Sequence, residues 1–388
     1  MADSHATPQG VGRRVAIVGP DVRRLVRLRG GLIKAIVARK HDVLGLAPDL
    51  DDSAVVELAA LGAEAASYPL RLGSVQPLGE RRSIDALAGA LGDWRADVVV
   101  GFGLKPMLVA ALAARKAGAG RIVALVSSLD ELGLGPHARP GLSLRWMLKA
   151  GLRAAHAIVF HNADDAARLD ECGVMPEGVP VHVVPGRGVD LVEFAERPPP
   201  LQVPGLVFTM IARLEAGKGV IEFCEAARRV RASAGATRFI LAGPEGSGRD
   251  RIAAATLASY AGCVEWVGEV DDVRPLLAES HVFVLPSWAE GMPAVVQEAL
   301  AVGRPVITCD VAGCRDTVDE RVNGVLVEKQ DARALASAME SFLKRPELMA
   351  SMSRASRRKA ERRFDIDRVN AAWLGILGLG GIDNLGWG

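Results

Sequence analysis

The chain has 388 residues, room for two or three domains with ample core, and its 49% apolar and 24% charged content is that of a globular protein. A formal net charge of +1 and only 4% aromatic residues exclude a global basic field and base-stacking platforms, so nucleic acid is not expected as a partner. Five scattered cysteines (Cys172, Cys224, Cys263, Cys309 and Cys314), odd in number and with no CxxC pair, fit thiols used as small hydrophobes in a reducing compartment.

The N-terminus, Met1 to Val11, is polar and lacks the apolar core of a secretory signal, and no run reaches the roughly 18 apolar residues that span a bilayer. A cytoplasmic protein is expected. A first strand is predicted at Val15–Gly19. Val22 to Lys40 then carries Arg23, Arg24, Arg27, Arg29, Lys34, Arg39 and Lys40, with Leu25, Leu28, Leu32 and Ile36 at mostly helical spacing. Such a stretch is either a solvated helix face with a core stripe or a peripheral contact with the inner face of the plasma membrane. Within it, Arg29-Gly30-Gly31-Leu32-Ile33 is read as the end of a loop and the start of a helix through Ala38. The glycine pair there either lets main chain approach a crevice or loosens the helix start.

Further strands are predicted at Val43–Leu46, Val98–Gly101, Ile122–Val126, Ile158–Phe160 and Val181–Val184. Their lack of apolar–polar alternation suits strands buried on both faces of a parallel sheet. A helical stretch at Pro106–Ala117 stops at Gly118. Glu196-Arg197-Pro198-Pro199-Pro200 continues neither a helix nor a central strand and reads as a linker. Strands resume at Leu206–Ile211, Phe239–Ala242, Val264–Val267, Val282–Leu285, Val306–Thr308 and Val325–Val327. The expected fold class is therefore α/β, with two Rossmann-like doubly wound halves facing each other across a cleft. The boundaries read 1–195, a linker at 196–205, 206–364, and a returning helix with a loose tail at 365–388, the tail running from Leu377 to Gly388.

In an open α/β sheet, ligands bind outside the carboxyl ends of the strands. Arg213 and Lys218 lie at such an end, in a glycine-bearing loop before a helix. They suit a diphosphate cradle as well as a solvated loop. Gly243, and Val267 with Gly268, end two more strands, where main chain approaches a nucleobase or simply turns. After Val282–Leu285 comes Pro286-Ser287-Trp288-Ala289-Glu290-Gly291-Met292-Pro293, opening a helix that carries Glu298. Gly291 admits close backbone approach, and Pro293 suits a first helical turn. Two carboxylates near an anion-binding helix start fit sugar hydroxyls and a diphosphate together, or an ordinary strand–helix unit with acids near its start. Asp365-Ile366-Asp367 has the form of a metal-holding DxD, but it opens a helical pattern and is assigned to N-capping. Asp271-Asp272 reads the same way. No His, Cys and Asp set has metal-ligand spacing, so neither a metal nor another cofactor is expected.

The Glu290–Glu298 segment resembles the glutamate–seven residues–glutamate signature of the family 4 glycosyltransferases, retaining enzymes of the GT-B fold. The resemblance continues through Gly303-Arg304-Pro305-Val306-Ile307, Gly313-Cys314-Arg315-Asp316-Thr317-Val318 and Asn323-Gly324-Val325-Leu326-Val327. It implies that Glu290 faces the donor sugar with the Gly291, Met292 and Pro293 backbone. Glu298 would bind the ribose, and Arg213 and Lys218 would hold the diphosphate. Gly243, Val267 and Gly268 would surround the base. The first half is more weakly similar to the subgroup acting on polyprenyl-diphosphate-linked sugars. That likeness runs through Arg29, Gly30 and Gly31, then Lys105-Pro106, then Phe160-His161-Asn162-Ala163-Asp164-Asp165 and Gly186-Arg187-Gly188-Val189-Asp190, and it implies acceptor binding by Arg29, Gly30, Gly31 and Lys105. Many members carry a histidine shortly before that lysine, whereas this chain has Gly101-Phe102-Gly103-Leu104; His137 is a substitute or an exposed loop residue. The implied partners are a nucleotide-sugar donor, UDP-linked, and a lipid-linked saccharide acceptor. Front-face displacement is implied, with the leaving phosphate taking the acceptor's proton. The alternatives are a nucleotide-sugar epimerase or hydrolase on the same fold, and a non-catalytic nucleotide-sugar-binding subunit.

Overall fold

Strands that are apolar on both faces need cover on both faces, and in the computed structural model helices supply it. The structure describes residues 12–71, 79–129, 138–200, 205–246 and 250–380. His137 and part of the linker lie outside them. The first half runs β1 (Arg14–Val18), α1 (Val22–Val37), β2 (Asp42–Ala47), α2 (Asp52–Ala60), β3 (Glu64–Ser67), α3 (Arg81–Asp93), β4 (Val98–Phe102), α4 (Leu104–Ala117), β5 (Arg121–Val126), α5 (Leu142–Ala154), β6 (Ala157–Phe160), α6 (Ala163–Glu171) and β7 (Val181–Val183). The sheet order is β3-β2-β1-β4-β5-β6-β7, all parallel, with Val15 registered between Val43 and Val98. The second half runs β8 (Val207–Ile211), α7 (Val220–Ser233), β9 (Arg238–Ala242), α8 (Ala254–Ala258), β10 (Glu265–Trp266), α9 (Arg274–Glu279), β11 (Val282–Leu285), α10 (Ala294–Ala301), β12 (Val306–Cys309), β13 (Gly324–Val327), α11 (Ala332–Lys344) and α12 (Leu348–Lys359). Its order is β10-β9-β8-β11-β12-β13.

The expected doubly wound architecture is the one observed. Gly118 ends α4 in the left-handed conformation, φ 77°, where a side chain would be strained. Strand β3 was not expected. Its Glu64-Ala65-Ala66-Ser67 sequence has little strand propensity and forms only by pairing with β2 at the sheet edge.

The reading of Arg29-Gly30-Gly31 as a helix start is corrected. Helix α1 begins at Val22, because the Asp21 carboxylate accepts the Arg24 backbone N–H at 2.7 Å and caps it there. Gly30 and Gly31 are interior to the helix, in close packing, and Gly31 also borders a crevice. A Cβ on Gly31 would lie 2.6 Å from Ile366 Cδ1, and one on Gly30 would touch Leu61. The apolar stripe of this basic stretch is also committed. Leu25, Leu32 and Ile36 are buried, so they cannot insert into a bilayer while the helix stays folded.

After α12 the chain makes a π-helical turn at Ala360–Phe364 and crosses back as α13 (Ile366–Ile376). Val189 N–H donates to Phe364 O at 2.7 Å, and Ile366 N–H to Val189 O at 3.0 Å, clamping the crossing. Asp365 caps α13 by accepting from Asp367 N–H at 2.9 Å. Asp272 likewise accepts the Arg274 N–H at 2.9 Å, at the start of α9. The tail is not loose from Leu377, since Leu377 and Leu379 are buried against the first half. Residues 381–388 lie outside the described part.

Candidate active site

In a sheet of order 3-2-1-4 the crossovers leave the first and fourth strands in opposite directions, opening a crevice between them. In the second half these strands are β8 and β11. The loop after β8 carries Arg213 to Gly219, and Gly219 is at φ 75°, where a Cβ would lie only 2.1 Å from Pro286 O. Only glycine lets the two loops come this close. Trp288 N–H donates to Gly217 O at 2.9 Å and ties them together. As a result Lys218 Nζ reaches Glu290 Oε1 at 2.5 Å, across 72 residues of sequence. Ser287, fully buried, donates its hydroxyl to the same oxygen at 2.9 Å. Both donors converge on Oε1, which fixes the carboxylate and leaves Oε2 outside this pair of bonds. Arg213 shares the loop but turns to Glu215 at 3.2 Å, with its side chain half exposed.

Gly243, Val267 and Gly268 gather at the ends of β9 and β10 on the same edge. Gly243 N–H donates to Gly268 O at 2.7 Å, and its own carbonyl accepts from Trp266 Nε1 at 3.2 Å. Gly243 must be glycine because a Cβ would lie 2.0 Å from Ala212 O. Val267 is exposed, and a Cβ on Gly268 would meet nothing within 4 Å, so this corner is open on that side.

Gly291 is one of the places where the two halves touch. A Cβ there would lie 1.9 Å from Ser127 O, beyond β5, and Asn162 Nδ2 donates to Gly291 O at 2.7 Å. Met292 packs on Gly186 of the first half. Pro293 is the N-cap of α10, one position outside the expected first turn. Glu298 does not join the Lys218–Glu290 pair. It is buried and ion-paired with Arg187, whose guanidinium also donates to Arg27 O at 2.8 Å. Burial raises the Glu298 carboxyl above the usual carboxylate range, opposed by Arg187. A crevice of about 200 Å³ opens beside it, bordered by Arg27, Arg29, Arg187, Glu193, Asn370 and Trp373 among others. The fold thus brings Arg29 and Glu298, from opposite halves, to one space.

Residues 26–187 match the glycosyl transferase 4-like domain, and residues 205–345 match the glycosyl transferases group 1 domain. Both halves of the chain thus match glycosyltransferase domains. The N,N'-diacetylbacillosaminyl-diphospho-undecaprenol alpha-1,3-N-acetylgalactosaminyltransferase of Campylobacter jejuni is 25% identical over 361 residues, covering 88% of this chain and 92% of that one. The UDP-Gal:alpha-D-GlcNAc-diphosphoundecaprenol alpha-1,3-galactosyltransferase of Escherichia coli is 27% identical over 275 residues, covering 67% and 70%. HepE of Anabaena, solved with UDP, superposes with a TM-score of 0.75 over 94% of this chain and 99% of that one at 16% identity, a likeness of fold. The fold is GT-B.

In this glycosyltransferase the two first-half cations expected at the acceptor, Arg29 and Lys105, are buried. Arg29 lies between the rings of Phe102 and Trp373, 5.3 and 5.5 Å from their centroids, and 3.4 Å from His161 Nε2. His161 donates Nδ1–H to Val184 O at 2.8 Å, which leaves Nε2 as the acceptor facing Arg29. Burial, then the Arg29 charge, push its pKa down to about 3, so the ring is neutral near pH 7. Lys105 begins α4 but is buried on Glu80 at 2.7 Å and donates to Arg71 O, apart from the Glu298 crevice. Sequence reasoning assigned no role to Ser287, His161 or Arg187. Ser287 and Arg187 stood beside residues already singled out, but neither spacing nor residue type says that they contact a glutamate.

Proposed function

We propose that this glycosyltransferase moves a hexose or N-acetylhexosamine, with retention and without a metal, from a nucleotide diphosphate to a polyprenyl-diphosphate-linked saccharide. A UDP-sugar is the favoured donor. The names of the Campylobacter and E. coli relatives support the acceptor class. The observation that carries the site reading is the Lys218–Glu290–Ser287 cluster at the β8/β11 crevice.

In this reading the donor lies on residues 206–364 and the acceptor reaches in from residues 1–195, with 196–205 as hinge. The base sits by Gly243, Val267 and Gly268, and the ribose hydroxyls donate to Glu298. For that, Arg187 shares or yields the carboxylate. The diphosphate lies between Arg213 and Lys218, whose charge offsets the negative charge that builds as the glycosidic bond to phosphate breaks. Glu290 Oε2 accepts from a donor-sugar hydroxyl. The acceptor oxygen bonds to the anomeric carbon on the face the phosphate leaves, and its proton passes to the leaving phosphate oxygen. Closure at Gly291 excludes water, which would otherwise hydrolyse the donor. The Arg29 wall and Lys105 take part on the acceptor side.

The test is purified protein with a panel of UDP- and GDP-sugars in EDTA, with and without polyprenyl-diphosphate-linked saccharide, scoring free nucleotide and the anomeric configuration of the product. Nucleotide release that requires the lipid-linked acceptor is the expected result. Release without acceptor would mean a hydrolase or epimerase, and binding without turnover a nucleotide-sugar-binding subunit.

A further inference from the structure

Helix α5 has an outer face that the core does not use. Met147, Leu148 and Leu152 point inward and are fully buried, and Gly151 lies tight against Leu108 of α4. On the outside, one helical turn apart, Leu142 is 89% exposed and Trp146 is 59% exposed, the most exposed tryptophan among the described residues. Lys149 and Arg153 continue this stripe at helical spacing, both exposed, with Arg145 flanking it and Arg139 exposed just ahead. The helix contains no Asp or Glu. Among the described residues Arg139, Arg145, Lys149 and Arg153 form no ion pair, whereas Arg23 and Arg24 on the basic face of α1 pair with Asp51 and Asp21.

An exposed leucine and tryptophan beside cations that form no ion pair among the described residues suit one kind of surface. The amphipathic indole sits at headgroup depth, leucine enters the acyl boundary, and the cations meet lipid phosphates. Because α5 carries the chain from the carboxyl end of β5 back to the start of β6, its Leu142 end lies at the sheet edge that meets Gly291. We infer that the outer face of α5 docks on an anionic phospholipid bilayer, with Leu142 and Trp146 inserted and Arg145, Lys149 and Arg153 on the headgroups. The docking stands on this surface alone. That it holds the cleft beside a lipid-linked acceptor rests on the reading above. No helix among the described residues is long and apolar enough to cross a membrane, so the contact is peripheral wherever it occurs in this part of the chain.

The test is co-sedimentation of the full chain with phosphatidylcholine vesicles, with and without phosphatidylglycerol. Wild type is expected to bind the anionic vesicles and lose them with added salt. Lys149→Glu with Arg153→Glu should weaken binding by about tenfold or more. Leu142→Ser with Trp146→Ser should weaken it as well, while Lys34→Glu with Arg39→Glu, at the end of α1 and just beyond it, keeps it. Circular dichroism and Tm confirm that each variant is folded, and Trp146→Ala alone serves if a double variant is not. Wild-type binding by the α5 variants, or loss with the α1 variant instead, would overturn the inference. So would lipid-free self-association that the α5 substitutions abolish, since the face would then belong to a second copy. A protein that binds vesicles but transfers no sugar would leave the docking standing and remove the transferase reading.

Discussion

The carboxyl edges of the two sheets have the same strand order at their centres and opposite chemistry. In the second half, the loops after β8 and β11 bring Lys218, Ser287 and Glu290 together, part-buried, with Arg213 exposed beside them. In the first half, the cations of the matching region are sunk into protein, Arg29 between two aromatic rings and Lys105 on Glu80. One topology therefore presents a polar cluster in one half and a packed wall in the other. The loops and the neighbouring elements decide which, and the strand order does not.

If the second edge is where bonds are made and broken, Glu290→Ala should cut transfer about 10²- to 10³-fold. Nucleotide binding should stay near wild type by titration calorimetry, and a parallel loss of nucleotide affinity would erase the distinction between the edges. The edges must also meet. Gly291→Ala would put a methyl group on Ser127 O, and a misplacement of about 1 Å costs about 10²-fold in rate; wild-type turnover by that variant would show that the contact is dispensable.

Glu298→Ala should weaken binding of the free nucleotide about 10- to 100-fold, as expected for loss of hydrogen bonds to a charged group. Equal affinity in wild type and variant would remove Glu298 from the ribose. A subtler expectation concerns the wall. His161 is held neutral, with a folded pKa near 3 against an ordinary 6.5, so the unfolded chain takes up a proton that the native chain refuses. Stability is thus fullest above pH 6.5 and falls progressively toward pH 3. Burial lowers the pKa of His281 in the same direction. His161→Gln should flatten, without abolishing, the fall of Tm with acid. The smallest effect is expected for Asp365→Ala, a lost helix cap worth about 1 kcal/mol. Transfer in EDTA should be unchanged, and a metal-dependent loss would reinstate the Asp365–Asp367 pair as a ligand set.

Much of the scaffold could be read along the chain. Val98–Phe102 or Val282–Leu285 announces itself because a strand buried on both faces needs an apolar run, and such a run is local. The caps are local too. Asp365 accepts from an N–H two residues on, and Gly118 takes a left-handed turn that few other residues adopt. Strand β3 was missed for the converse reason, since its stability comes from β2 and not from its own residues.

The partners of the polar side chains were not legible in the same way. Nothing at Gly30 and Gly31 says that α13 crosses there, because Ile366 comes from the far end of the chain. Nothing at Arg187 says that it pairs with Glu298, and nothing between Leu142 and Arg153 says which face α5 turns outward. The sequence by itself determined every strand but β3, the caps at Gly118 and Asp365 and the doubly wound plan, since each rests on propensity and burial over a few residues. Which carboxylate meets which cation was decided only by the tertiary structure, because that depends on how sheet order and a returning helix bring distant loops within hydrogen-bonding range.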